Sequence, residues 1–278
     1  MKNFEGKVAA ITGAGSGIGR ALAIELARRG AHLALSDVNL AGLRETVALL
    51  PPGERRVTQA RVDVAQREQV YAWAAKTAKA HKAVHLVFNN AGVALGSPVD
   101  GMSDEDLQWI FDINFWGVVH GTRAFLPFLK QAGEGHIVNV SSVFGIAAVP
   151  SQGAYNASKF AVRGFTEALR QELELAGGKI SATTVHPGGI KTNIARAARY
   201  SEAMESFAGK NADEGRARFD RLLMTSPERA AKVILAAVRA NRRRVLIGPD
   251  AHLIDWTVRL MPERYQQIVT AFTRLTLA

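Results

Sequence analysis

The chain alternates short, nearly continuous apolar runs with longer stretches whose apolar positions recur every three to four residues. The short runs occupy 7–13, 32–37, 57–64, 84–92, 136–142, 180–186 and 244–248. They have the length of strands and turn-forming residues at their ends, so each predicts a buried strand. The longer stretches at 17–29, 66–81, 103–130 and 152–175 predict helices. This alternation predicts an α/β fold in which helices flank both faces of a doubly wound parallel sheet. No repeat, low-complexity tract or linker interrupts it, so residues 1–278 read as a single domain. The rhythm breaks twice. Residues 191–226 are polar, contain Gly209 and Gly215, and follow a strand end, where such a sheet binds its ligand. They are expected to form a substrate lid. Residues 251–278 place Leu253, Trp256 and Leu260, then Tyr265, Ile268, Val269, Phe272 and Leu275, at helical spacing. They predict a C-terminal helical extension.

Composition narrows the class. Hydrophobic residues make up 47% and charged residues 22%, enough apolar material for a sizeable core. There is no cysteine, which excludes disulfides, cysteine zinc sites and thiol nucleophiles and suits a reducing cytoplasm, the expected location. The N-terminal apolar run is too short for a signal peptide or a membrane span. The charge-free stretch 136–158 still carries Asn139, Ser141, Ser142, Ser151, Gln152 and Asn156, the character of an enclosed site and not of a lipid-facing helix.

The net charge is +10, unevenly spread. Residues 191–278 hold 16 Lys/Arg against 9 Asp/Glu (+7), and the first 190 hold 19 against 16 (+3). No nucleic-acid-binding motif accompanies the basic region, so nucleic acid is not an expected partner. A solvated basic surface is the plain reading, and peripheral contact with an anionic membrane stays open. The apolar positions of the tail are expected to pack on the domain or cover its cleft, with a dimer interface or a membrane contact as the alternatives. The histidines show no metal-ligand spacing, and no metal site is expected.

Residues 8–20 read VAAITGAGSGIGR. A buried-type strand ends in a glycine-rich turn and a helix begins near Gly17. Glycines let the backbone approach a pyrophosphate, and the helix N-terminus offers unpaired N–H groups. The spacing of Gly13, Gly17 and Gly19 is Gly-x-x-x-Gly-x-Gly, in the first strand–helix unit of a Rossmann-type sheet. Asp37 ends the next strand, 18 residues past Gly19. It is placed to accept hydrogen bonds from an adenosine ribose, or to cap the following helix. Tyr155 and Lys159 lie one helical turn apart, thirteen residues after Ser142.

Taken in order, these motifs resemble those of the short-chain dehydrogenase/reductase family from residue 7 to about residue 192. TGAGSGIG (12–19) is similar to the family's cofactor loop, with Gly13, Ser16, Gly17, Ile18 and Gly19 as implied contacts. Asp63 and Val64 resemble its adenine contact. NNAG (89–92), with Asn90, Ala91 and Gly92, resembles the motif after its fourth strand. HPGGIKT (186–192), with Pro187, Gly188, Ile190 and Thr192, resembles the segment over the nicotinamide. Ser142, Tyr155, Lys159 and Asn114 match its active-site positions.

The resemblance implies an NAD(P)-dependent interconversion of an alcohol and its ketone or aldehyde. Tyr155 would be the general acid/base, its pKa lowered by the Lys159 ammonium. Lys159 would also reach the nicotinamide ribose, Ser142 would hydrogen-bond the substrate oxygen, and Asn114 would hold a water linking Lys159 to solvent. Ser141 reads as structural, and His186 as a packed or pocket-lining histidine. NAD is expected in preference to NADP, because Asp37 opposes a 2′-phosphate and no cation follows it. Arg20 is the residue that would weaken this expectation by turning towards the adenosine end. Apolar Val93, Leu95, Val143, Phe144, Ile146, Val149 and Pro150 near these positions favour a hydrophobic secondary alcohol or ketone. A homo-oligomer is expected. The alternative function is a catalytically silent dinucleotide-binding regulator, which has no need of Ser142, Tyr155 and Lys159 together.

Overall fold

All seven apolar runs become strands of one sheet. The computed structural model describes residues 1, 3–194, 196–204 and 223–277, with side chains to residue 274. In chain order the elements are β1 (Val8–Thr12), α1 (Gly17–Arg28), β2 (His32–Asp37), α2 (Leu40–Ala48), β3 (Val57–Arg61), α3 (Arg67–His81), β4 (Leu86–Asn89), β5 (Leu95–Gly96) and α4 (Asp104–Phe111). There follow α5 (Gly117–Ala132), β6 (Gly135–Val140), α6 (Gly153–Leu175), β7 (Ile180–Pro187), β8 (Arg199–Tyr200), α7 (Pro227–Arg239), β9 (Arg244–Ile247), α8 (Pro249–Leu260) and α9 (Tyr265–Leu277). The sheet order is β3-β2-β1-β4-β6-β7-β9, and every pairing is parallel.

Alternation along each strand builds two cores. Ala9, Ile11, Leu33, Leu35, Leu86, Phe88 and Val138 point to one face, where α1 and α7 cover them with Leu22, Leu26, Ile234 and Val238. Ala10, Ala34, Val87 and Ile137 point to the other, under Trp73 of α3, Phe125 of α5 and Leu169 of α6. A strand buried on both faces must be apolar throughout, which is why periodicity along these runs is weak. The edge strand β3 ends at Arg61, and the Val62 N–H makes the last bond of its ladder, to the Asp37 carbonyl (3.2 Å).

The helix expected over 103–130 is interrupted. Residues Asp112–Trp116 form a single π-helical turn between α4 and α5. Asn114 in that turn accepts the Val93 N–H (2.8 Å) and donates to the Val93 carbonyl (3.0 Å). This tie gives the widened turn a reason, and π-bulges recur at functional sites.

The C-terminal extension is helical, but its apolar positions do not face the domain. Leu253, Trp256 and Leu260 are 68%, 65% and 70% exposed, whereas Ala251 and Asp255 of the same helix are buried. Asp255 faces inward because it pairs with Arg244 (3.2 Å) as well as Arg259 (2.8 Å). Among the described side chains, Tyr265 alone of the sequence-predicted tail positions is buried, its hydroxyl accepting the Ala148 N–H (3.4 Å). The region expected as a lid lies partly outside the described residues. Its described parts, 191–194, 196–204 and 223–226, include β8, which pairs in parallel with β5. Ser201 reinforces the pairing by donating to the Ser97 hydroxyl (2.8 Å).

Candidate active site

The chain leaves β1 towards β2 and β3 on one side and returns to β4, β6, β7 and β9 on the other. Connections therefore diverge at the carboxyl ends of β1 and β4 and leave a crevice there. Thr12 holds its walls together: its hydroxyl accepts the N–H groups of Asn90 (3.0 Å) and Ala91 (3.1 Å). The Asn90 amide donates back to the carbonyls of Thr12 (3.0 Å) and Gly13 (3.2 Å). A Cβ on Gly19 would lie 2.1 Å from the Gly13 carbonyl oxygen, and Gly17 has φ +52°, so neither position takes a side chain without strain. Ser16 is the N-cap of α1, but its hydroxyl makes no capping bond. Ile18 anchors the start of α1 on the core. Thr192 closes the loop from above, its methyl 3.1 Å from where a Gly17 Cβ would stand. A close-approach glycine cradle at the start of a twelve-residue helix fits a pyrophosphate.

Asp37 lies at the expected edge of this cradle and is not the helix cap. Asn39 caps α2, accepting the Gly42 N–H (3.1 Å). The Asp37 carboxylate accepts the Gly15 N–H at Oδ2 (2.8 Å) and the Asn39 N–H at Oδ1 (2.9 Å), which orients it beside the glycine loop. Arg20 is engaged elsewhere. Its guanidinium donates to the Gly15 carbonyl (2.5 Å), Thr46 Oγ1 (3.0 Å) and Glu45 (2.8 Å), so it ties α1 to α2. Asp63 accepts the Ala65 N–H (3.0 Å). Val64 packs where a Gly117 Cβ would come within 2.8 Å of it, which brings α5 against this corner.

The second half of the site forms where β6 ends and α6 begins. Lys159 reaches back to donate to the Val140 carbonyl (3.1 Å), and its Nζ lies 5.7 Å from the centre of the Tyr155 ring. Ser142 accepts the Phe144 N–H (3.1 Å), and its hydroxyl lies near enough to the Tyr155 phenol to favour the phenolate. Ser141 donates to the Lys159 carbonyl (2.7 Å), a structural link between strand and helix. Gly92 stands between Asn114 and Lys159: a Cβ there would be 3.1 Å from Asn114 Oδ1 and 3.3 Å from Lys159 Nζ. Asn114 also donates to Ser158 Oγ (3.2 Å), which itself donates to the Tyr155 carbonyl (2.8 Å). The four expected active-site positions thus converge, together with the glycine of the NNAG motif.

Electrostatics here differ from expectation. Burial pushes the Tyr155 phenol above its usual value of 10.0, and the Ser142 hydrogen bond offsets this only in part. Burial likewise holds the Lys159 ammonium down, from 10.5 to about 8. Burial sets both directions, because desolvation disfavours phenolate and ammonium alike.

The 186–192 segment is held by a residue that sequence reasoning passed over. Asp250, at the start of α8, accepts the Gly189 N–H through Oδ2 (2.6 Å). A Cβ on Gly188 would lie 2.1 Å from that oxygen, so the glycine is required by the carboxylate. Its signal was present only as an acid after the last strand, in IGPDA. Pro187 ends β7, the Gly188 N–H donates to the Ile247 carbonyl (2.9 Å), and Ile190 is buried and bridges to Thr225. His186 is fully buried with Nδ1 2.8 Å from the Ser142 carbonyl, so it supports the Ser142 backbone. Of the apolar positions near the site, Val143, Ile146 and Leu95 turn inward. Val93 and Phe144 stay half-buried beside Tyr155, Phe144 meeting its ring edge-on at 6.1 Å.

Comparison with known proteins agrees with this geometry. The family model for short chain dehydrogenases matches residues 7–203. The SadH protein of Mycobacterium tuberculosis is 50% identical over 274 residues, covering 98% of this chain and 96% of SadH. A short-chain dehydrogenase/reductase from Burkholderia phymatum, crystallised with NAD, superposes with a TM-score of 0.84 at 38% identity, over 96% of each chain. One from Burkholderia cenocepacia, crystallised with NADP, gives 0.74 at 26% identity, over 96% of this chain and 98% of that one. Family match, relatives and parallel sheet together establish that this chain belongs to the short-chain dehydrogenase/reductase family of oxidoreductases.

Proposed function

We propose that the protein interconverts a hydrophobic secondary alcohol and its ketone, using NAD in preference to NADP. The observation that carries this reading is the convergence of Ser142, Tyr155, Lys159 and Asn114 beside the glycine cradle. When bound, the nicotinamide cofactor supplies or accepts the hydride. Tyr155, its phenol held protonated by burial, donates its proton to the substrate oxygen as a carbonyl is reduced, and takes it back in the reverse direction. Ser142 hydrogen-bonds the same oxygen and stabilises the charge that develops there. Lys159, with a pKa of about 8, changes charge near working pH, and Asn114 ties the Val93 backbone to Ser158 on the helix that carries both Tyr155 and Lys159. The half-buried Val93 and Phe144 favour an apolar group next to the reacting carbon. The orientation of Asp37 beside the Gly15 N–H, with Arg20 engaged elsewhere, supports the NAD preference.

The test is a panel of apolar secondary alcohols and ketones followed by NADH absorbance, on wild type and Tyr155→Phe. The variant should bind NAD and lose about a hundredfold or more in turnover. Near-normal turnover of any substrate the wild type accepts would refute the assignment.

A further inference from the structure

Strands β7 and β9 run side by side and end in register, Pro187 opposite Ile247. A glycine follows each strand, and the Asp250 carboxylate stands between the two. A Cβ on Gly188 would lie 2.1 Å from Oδ2, and one on Gly248 would lie 2.3 Å from Oδ1. The three atoms nearest to a Gly188 Cβ all belong to Asp250, so the carboxylate itself excludes a side chain there. Oδ2 accepts the Gly189 N–H (2.6 Å), while Oδ1 is buried with no partner among the described residues. An unpaired buried oxygen and two positions without side chains cost the fold stability. What this arrangement secures is the placement of Gly189.

Gly189 is held from its other side as well. Its carbonyl accepts the N–H groups of Met224 and Thr225 (3.1 Å each), and the Lys191 N–H donates to the Thr225 carbonyl (2.9 Å). Thr192 then brings its methyl to 3.1 Å from where a Gly17 Cβ would stand, so the course of 188–192 sets the cover of the glycine cradle. The helix that carries Asp250 is anchored in turn, because Asp255 of α8 pairs with Arg244 of β9 (3.2 Å). A carboxylate on a fixed helix is thereby bonded to the cover of the crevice, 61 residues away in sequence. Asp250 lies beyond residues 7–203, which the family model matches.

We propose that Asp250 is a positioning residue for the dinucleotide cofactor. It acts through Gly189, holding residues 188–192 in the course that covers a bound cofactor, and so sets cofactor affinity. This role rests on the proposed binding of NAD in the cradle and is independent of the proton transfer given to Tyr155. Without the carboxylate the segment takes other courses, and affinity falls by the fraction of molecules still ready to bind. A hydrogen bond to a charged acceptor is strong enough that its loss leaves a fraction of about a tenth.

The experiment is NADH binding to the full chain, read by nucleotide fluorescence and by calorimetry. Asp250→Ala should raise the Kd about tenfold, whereas Asp250→Asn keeps an acceptor for the Gly189 N–H and should stay within about threefold of wild type. Gly188→Ala drives a methyl into the carboxylate and should also raise the Kd about tenfold. With the carboxylate gone that methyl has room, so Asp250→Ala combined with Gly188→Ala should bind no worse than Asp250→Ala alone. With any substrate the wild type turns over, the KM for NADH should follow the Kd, while kcat at saturating NADH stays within about threefold. Circular dichroism and thermal midpoints verify that each variant is folded at the assay temperature. An unchanged Kd in Asp250→Ala overturns the proposal, as do additive effects in the double variant or a kcat that falls while KM stays put. If Asp250→Ala does not fold, Gly188→Ala decides, and an unchanged Kd there overturns the proposal. A wild type that binds neither NADH nor NADPH refutes the nucleotide reading of the cradle and the role of Asp250 with it. Unchanged affinity in the variants of a wild type that does bind NADH refutes the role of Asp250 alone.

Discussion

Replacing Lys159 with methionine should stabilise the ligand-free protein while removing its activity. Lys159 is only 3% exposed, and burial alone holds its ammonium at a pKa of about 8 against 10.5 in water. That difference corresponds to roughly 3 kcal/mol of destabilisation while both folded and unfolded chains carry the proton. Methionine has similar length and no charge, but it gives up the hydrogen bond to the Val140 carbonyl, about 1 kcal/mol. The net gain near pH 7 is then about 2 kcal/mol. Between about pH 8 and 10.5 the unfolded lysine keeps a proton that the folded one has released, so wild-type stability rises through this window. The advantage of the variant should shrink correspondingly. Urea midpoints for both proteins at a series of pH values measure this, and groups common to both cancel in the difference. A variant less stable than wild type at neutral pH, or an advantage that stays constant through the window, would refute the argument that burial sets the Lys159 charge.

Two further outcomes are expected. Asp37→Asn keeps one acceptor for the Gly15 or Asn39 N–H and removes the charge, so the ratio of kcat/KM for NADP to that for NAD should rise about ten- to a hundredfold, roughly 1.4 to 2.8 kcal/mol. Equal use of both cofactors by the wild type, or an unmoved ratio, would contradict the role given to Asp37. Burial holds His136 at about 3 and His186 at about 4, below the ordinary 6.5, so the unfolded chain takes up these protons first. Stability should be intact above pH 6.5 and fall progressively as the pH drops through 4 towards 3, by as much as several kcal/mol. His136→Asn should lose less over this window in acid urea titrations. Unchanged wild-type stability at pH 4 would contradict the neutral buried imidazole.

The sheet was legible from the chain itself. Seven apolar runs became the seven strands of one parallel sheet, because its central strands are covered on both faces and must be largely apolar, a local property of the sequence. The cradle was legible for a similar reason: a turn that needs φ +52° at residue 17 and no side chain at residue 19 restricts both positions to glycine. Other features depended on partners distant in sequence. The π turn carrying Asn114 lies within an unbroken helical pattern, and its cause is a backbone group 21 residues earlier. Asp250 acts on Gly189 across 61 residues, so nothing near either one announces the pair. The proximity of Tyr155 and Lys159 followed from helical spacing. Their charge states did not, since desolvation depends on every element that surrounds them. The tail shows the division most clearly. Spacing determined that α8 has an apolar stripe, but a helix can turn either face to the protein, and the pairing of Asp255 with Arg244 turned this one outward.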